Sequence, residues 1–131
     1  MAVPPEVAWF AVETGMPRLE ANFAHPEQGC DWLGIGGQVL DAVGEAEQER
    51  VVLVSGVYNG VTVDLVGLSG SAPLFGPAGF EIRLPAELSL SSQLFIQVYD
   101  LDGAPLSDPV TFTAPSSCQQ TLVMVNFRER E

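Results

Sequence analysis

The sequence predicts an all-β protein, an antiparallel β-sandwich of about seven to eight strands. Runs rich in Val, Thr, Phe and Tyr recur along the chain and alternate apolar with polar residues. Turn signals separate these runs, supplied by 13 Gly and 10 Pro in 131 residues. No segment has the 3.6-residue apolar period of an amphipathic helix. We expect a linker over 1–6, a single domain over 7–127 and a solvated C-terminal tail over 128–131.

The strands follow from these runs in order. Val51–Tyr58 is nearly continuously apolar at its start, so we expect a central strand that is buried on both faces. Trp32–Leu40 is predicted as a strand despite three glycines, which mark a bulge or a close approach of the backbone. Arg18–Ala24 is either a strand or an extended crossing segment. The remaining predicted strands are Val7–Glu13, Val61–Leu68, Phe80–Leu84, Gln93–Tyr99, Pro109–Thr113 and Thr121–Phe127.

The clearest turn lies between two of these strands, at Asn59-Gly60. Both residues tolerate the positive φ angles of a type I′ turn, so Val51–Tyr58 and Val61–Leu68 are expected to form a hairpin. The segment Asp41–Arg50 is acidic and its apolar residues form no helical face. We therefore expect it to be a turn or a long hairpin loop.

The charge of the chain excludes several functions. Its 17 acidic and 5 basic residues, all five of them Arg, give a net charge of −12 and a pI near 4.1. A surface this acidic repels phosphate groups and anionic lipids, so we expect no nucleic-acid partner. No apolar run approaches the roughly 20 residues of a membrane helix, so no membrane insertion is expected.

The two cysteines, Cys30 and Cys118, each precede a predicted strand. They are either joined by a disulfide at one end of the sandwich or remain two unpaired thiols, and the composition favours the disulfide. A disulfide closing so long a loop would stabilise the fold by about 4 kcal/mol. The first residues lack the pattern of a signal peptide. The chain is therefore either cytosolic or a mature domain or excised module of an extracellular protein, and we favour the second.

Several segments together suggest a family. The pattern G-x-V-x-D-x-x-G occurs at 37–44. The other segments on which the resemblance rests are 30–41, 76–81, 105–108 and 122–127. In these segments the chain resembles bacterial extracellular immunoglobulin-like domains that are similar to the carboxypeptidase regulatory-like (prealbumin-like) modules. The resemblance extends from about Phe10 onward. It implies a non-catalytic module of a secreted or cell-surface protein, to which no catalytic residue carries over.

Few side chains suggest chemistry. His25, the only histidine, lies in a Pro-flanked loop and is expected to be structural rather than catalytic. Asp100, Asp102 and Asp108 are a weak calcium candidate, although the twelfth position of a calcium loop is Thr111, and a β-turn is the simpler interpretation. The acidic residues of the loop after Trp32–Leu40 are expected to be solvated rather than to bind a cation; they are Asp41, Glu45, Glu47 and Glu49. No cofactor is expected.

Three functions remain open. The first is a non-catalytic extracellular structural or adhesive module, disulfide-bonded between Cys30 and Cys118, with protein partners. The second is a self-assembling surface-fibre subunit, in which one strand pairs with the sheet of a neighbouring copy instead of its own. That strand comprises Val7, Ala8, Trp9, Phe10, Ala11, Val12 and Glu13. The third is a glycan-binding module whose aromatic platform would comprise Trp9, Trp32, Tyr58 and Tyr99.

Overall fold

A computed structural model describes residues 8–130, which form ten strands and two short 3₁₀ segments. The predicted all-β sandwich is confirmed. The 3₁₀ segments are Pro26–Asp31 and Pro73–Phe75. The strands are β1 (Phe10–Val12), β2 (Arg18–Glu20), β3 (Gly34–Leu40), β4 (Val51–Tyr58), β5 (Val61–Leu68), β6 (Gly79–Arg83), β7 (Ser92–Tyr99), β8 (Val110–Phe112), β9 (Leu122–Met124) and β10 (Phe127–Glu129).

The strands form two sheets. Sheet I has the order β1-β10-β3-β9-β2, with β6 paired to β3, and sheet II has the order β5-β4-β7-β8. The prediction of an antiparallel sandwich is wrong for two pairings of sheet I, because β3 runs parallel to both β9 and β10. A long connection leads from β8 in sheet II back to sheet I. Such a crossover, unlike a tight hairpin, does not force the next strand to be antiparallel.

The C-terminal part of the chain also differs from the prediction. The expected strand Thr121–Phe127 is divided at Val125 and Asn126, which accounts for part of the larger strand number. Asn126 Oδ1 accepts a hydrogen bond from the backbone N–H of Gln38 at 2.9 Å. The expected solvated tail is corrected as well: residues 127–129 form β10 between β1 and β3.

The hydrophobic core lies between the two sheets. Strand β4 contributes Val52, Val54 and Tyr58 to it, whereas the alternate residues Val51 and Leu53 remain half-buried. The prediction that β4 is buried on both faces is therefore wrong for the isolated chain, since only one face meets the core. Other buried core residues include Ile35, Val39, Phe80, Ile82, Ile96, Val98 and Phe127.

The predicted hairpin is present. Strands β4 and β5 pair from Tyr58–Val61 to Val51–Leu68, and the turn residues Asn59 and Gly60 have φ angles of 49° and 83°. The Asn59 side chain also holds the loop before β7, because its Oδ1 accepts hydrogen bonds from the N–H groups of Leu90 and Ser91. Within residues 8–130, no helix has the length and hydrophobicity needed to cross a membrane.

Candidate functional site

The outer face of sheet I is covered by a small second core, here called the aromatic cap. Its buried members are Ala24, Trp32, Phe75 and Leu122, with Phe23 edge-on to Phe75. The cap lies directly on glycines of β3. A Cβ atom added to Gly36 would come within 2.2 Å of the Phe75 ring, and one at Gly34 within 2.6 Å of Trp32. The close approach predicted for these glycines is confirmed.

His25 joins the cap to sheet I. Its Nε2 lies 2.7 Å from Glu81 Oε1 on β6, and its ring lies 4.7 Å from that of Trp32. The backbone N–H of His25 donates to Asn22 Oδ1. These contacts fix the position of the cap, and they give His25 the structural role that the sequence predicts.

A disulfide fixes the other end of the cap. Cys30 in the first 3₁₀ segment is bonded to Cys118 in the turn before β9, with 5.0 Å between their Cα atoms. The predicted pairing is confirmed. It links two segments that are 88 residues apart, and so it holds the cap-forming segment against the sheet that it covers.

The outer face of sheet II is different, because no layer of the described chain covers it. Val57, Val66, Leu68 and Leu101 are exposed, Val66 and Leu101 to 64% each. Half-buried apolar side chains of β4 and β7 lie between them, together with the polar side chains of Ser55 and Gln97. We call this surface the apolar face; it comprises Val51, Leu53, Val57, Val66, Leu68, Phe95, Tyr99 and Leu101.

The strand register places most of the apolar face at one end of sheet II, because the outward rows at the other end include Ser55, Thr62 and Gln93. Val51 lies opposite Leu68 on β5 and Tyr99 on β7, and the next outward row joins Leu53 to Val66. At one end, a shallow cavity opens between Val51, Leu53, Tyr99 and Leu101. Antiparallel sheets that face water normally carry polar residues there, and this end of sheet II departs from that pattern.

The apolar face is also nearly uncharged. Among the side chains that point outward from β4, β5, β7 and β8, Asp64 is the only charged one. Asp100 and Asp102 lie beyond the end of β7, at the rim of the face. In a chain with 17 acidic residues, the carboxylates are therefore concentrated away from this surface.

The predicted glycan platform does not form. Trp32 and Tyr58 are each only 2% exposed, so their rings cannot stack on a sugar, and this prediction is corrected for both. The Tyr58 hydroxyl donates to the backbone carbonyl of Glu87. Burial, with a smaller contribution from the Glu87 carboxylate, raises the pKa of Tyr58. Trp9 and Tyr99 remain half-buried, and Tyr99 belongs to the apolar face.

The calcium candidate is not assembled. Asp100 Oδ1 accepts hydrogen bonds from the backbone N–H groups of Asp102 and Ala104, at 2.9 and 2.8 Å. The Asp100 carboxylate therefore caps the turn in which it lies. Within residues 8–130, no three His, Cys, Asp or Glu side chains lie close enough together to hold a metal ion, and Asp108 adds no ligand.

The acidic loop after β3 contains a turn of the same construction. Asp41 Oδ1 accepts from the N–H groups of Val43 and Glu45, both at 2.9 Å. In each turn the Asp N–H donates to a carbonyl four residues later, and a glycine with positive φ closes the loop. Asp41, the Asp of the G-x-V-x-D-x-x-G pattern, therefore caps the turn that follows β3.

The segment considered for strand donation lies in its own sheet. Residues 10–12 form β1, which pairs with β10. Phe10 is 1% exposed and part of the main core, and its N–H donates to the Leu106 carbonyl. Val7 lies outside the described residues. Donation to another copy would therefore require β1 to leave an existing pairing.

Comparison of the chain with protein families, with characterised proteins and with solved structures found no match to any of them. The apolar face was not identified as a site from the sequence. The signal that could have found it was the apolar start of β4, which is typical of a strand covered on both faces although the sandwich covers only one.

Proposed function

We propose that this chain is a non-catalytic, extracellular, immunoglobulin-like module with a structural or adhesive role, which acts by protein contact through its apolar face. One observation carries the proposal: the two outer faces of the sandwich differ. The aromatic cap covers sheet I and the disulfide holds it there, whereas sheet II offers apolar, nearly uncharged strands to its surroundings.

The disulfide supports the extracellular part of the proposal, because such bonds form and persist in oxidising compartments. Its loss should weaken the fold strongly. For a loop of 88 residues the chain-entropy model gives a stabilisation of about 4 to 5 kcal/mol. A chain that relies on this contribution would be poorly suited to a reducing cytosol.

The experiment for this part compares oxidised wild type, reduced wild type and the variant Cys30→Ser/Cys118→Ser in urea unfolding and in limited proteolysis at 37 °C. We expect the oxidised chain to resist protease and both thiol-free forms to be cleaved. Equal stability of oxidised and reduced chain would contradict the extracellular assignment, since the disulfide would then be dispensable.

The contact role of the apolar face has a separate test. If these side chains serve contact rather than folding, charges placed on them should leave the isolated fold nearly intact. Val57→Glu and Val66→Glu are each expected to change the free energy of unfolding by less than about 1 kcal/mol. The control is Val43→Glu, at an exposed valine in the turn after β3. Unfolding of both face variants, but not of the control, would make the face part of the fold.

A further inference from the structure

We propose that the apolar face is a homodimer interface, on which a second copy of this chain packs its own apolar face with sheet II against sheet II. This inference rests on the proposed contact function and names its partner. The two copies would be related by a two-fold axis, so that the same surface serves on both sides. Sheets stacked in this way lie about 10 Å apart and interdigitate their side chains.

The chemistry of the face favours a copy of itself. A partner selected by charge would be expected to meet several ionic groups, but the outward positions of sheet II offer one carboxylate and no cation. At one end, the face offers aliphatic side chains around the aromatic ring of Tyr99, a composition typical of the centre of an interface. Phe95 lies among polar outward residues, between Ser55 and Thr111. Another apolar face complements this surface without needing a counter-charge.

The position of the acidic residues also fits a contact between copies. Two chains of net charge −12 repel each other, and carboxylates buried between them would add a large desolvation cost. Asp64 is the only charged side chain pointing outward from the strands of sheet II, and it lies on the outermost strand, β5. On the strands of sheet II, outward charge is thus confined to one edge strand.

The area predicts how strong the dimer is. Three strands about 26 Å long and the shorter β8, spaced about 4.8 Å apart, cover roughly 400 Å². Two copies would bury roughly 800 Å² in total, which is the size of a weak, transient contact rather than of a stable interface. We therefore expect a monomer–dimer equilibrium that depends on protein concentration rather than an obligate dimer.

Salt should act in an unusual direction. Repulsion between the two acidic chains opposes association. Salt screens this repulsion, because the Debye length falls to roughly 8 to 10 Å at about 0.10 to 0.15 M ionic strength. Association through the apolar face should therefore strengthen as salt is added. A contact that depends on pairing of opposite charges would weaken instead.

The test is sedimentation of the oxidised full chain from about 5 to about 500 µM, at about 50 and about 500 mM NaCl. We expect a dimer whose fraction rises with both concentration and salt. Val66→Glu should lower the association constant at least tenfold, because it places a carboxylate from each copy in the interface. Val43→Glu, with the same added charge outside the face, should leave it unchanged. Val57→Glu provides a second face variant.

Each other outcome overturns the inference. A wild type that stays monomeric at the highest concentration and salt has no such interface. The proposed function would still be supported by a stability that depends on the disulfide and by contact of the apolar face with a different protein. If Val43→Glu and Val66→Glu lowered the association constant equally, the cause would be the added net charge and not its position on the apolar face. Association that weakens with salt would place it on another surface. Circular dichroism of each variant ensures that only folded protein is compared.

Discussion

At the scale of single residues, Gly36 and Gly37 show why β3 contains glycine where a strand would normally carry a β-branched side chain. A Cβ at Gly36 would overlap the ring of Phe75, whereas one at Gly37 would lie 1.8 Å from the backbone carbonyl oxygen of Val125. A ring can rotate away, whereas the Val125 backbone is held in place, because its N–H donates to the Gly36 carbonyl. The two positions therefore differ in what a methyl group would displace.

We expect Gly37→Ala to destabilise the chain more than Gly36→Ala, for which overpacking predicts a loss of about 1 to 3 kcal/mol. Phe75→Ala removes the obstacle at Gly36, so Gly36→Ala should cost less in the Phe75→Ala background than in wild type. Urea unfolding of the four chains in this double-mutant cycle measures the difference. Additive costs would mean that Phe75 does not restrict Gly36.

Tyr58 gives the fold a pH dependence at the alkaline end. Its pKa is raised in the folded chain, so the folded state holds the phenolic proton more tightly than the unfolded state does. The resulting stability is complete below the unfolded pKa of about 10 and is lost as the pH rises through the higher folded value.

Replacing this hydroxyl should remove that loss. Tyr58→Phe is expected to lower the free energy of unfolding at pH 7 by about 1 kcal/mol, because the hydrogen bond to Glu87 is lost. It should also flatten the decline in stability between about pH 9.5 and 11. The control is Tyr99→Phe, at a half-buried tyrosine of the apolar face, which should retain the decline. Identical pH profiles for wild type and Tyr58→Phe would contradict this assignment.

At the scale of elements, the sandwich uses one hairpin design twice. Gln38–Gly44 and Gln97–Gly103 share the pattern Q-V-x-D-x-x-G, and each Asp caps its turn through two backbone N–H groups. The bridges after the turns also correspond, Leu40 with Ala46 and Tyr99 with Pro105. The β-turn preferred at Asp100 over a calcium site is thereby confirmed, and the shared pattern is the sequence signal that relates the two turns.

These turns make a direct prediction. Asp41→Ala and Asp100→Ala should each cost about 1 kcal/mol through lost capping. The double variant should show the sum, because the two turns follow strands of different sheets. Asp102→Ala is the control, since the Asp102 side chain is exposed and caps no turn in the described structure.

Thermal unfolding of the wild type with about 1 mM calcium or with EDTA should give the same Tm. A calcium-dependent rise in Tm that Asp100→Ala abolishes would reinstate a metal site.

The elements also show what the sequence could predict. Local signals were sufficient for the β4–β5 hairpin, whose bounds agree with the prediction, because alternation and Asn59-Gly60 act within a few residues. They were insufficient for β9 and β10, whose parallel pairing with β3 is a long-range contact. The apolar face was missed for a related reason, since an apolar strand alone does not show which of its faces the fold will cover.

At the scale of the whole molecule, charge opposes the compact state. Folding brings 17 carboxylates close together, against five guanidinium groups. Few of the carboxylates in the described chain are paired: the shortest ion pair to an arginine, Arg18 with Glu20, lies on the surface, where such contacts contribute little. The fold is therefore expected to carry an unfavourable repulsive energy that depends on ionic strength.

Salt should accordingly stabilise the monomer as well as the dimer. We expect the Tm, measured at about 5 µM to limit association, to rise as NaCl is increased from about 20 to about 500 mM; each 1 kcal/mol of relieved repulsion corresponds to about 3 to 6 °C. Neutralising three exposed carboxylates outside the apolar face, by Glu27→Gln, Glu45→Gln and Asp102→Asn, should raise the Tm at low salt and reduce the salt effect. Wild type and this triple variant would respond equally to salt if the effect came from stronger burial of apolar surface rather than from charge. Because the wild type and the triple variant are both measured as monomers, a smaller salt effect in the variant would establish that the acidic surface itself destabilises the chain, independently of what covers sheet II.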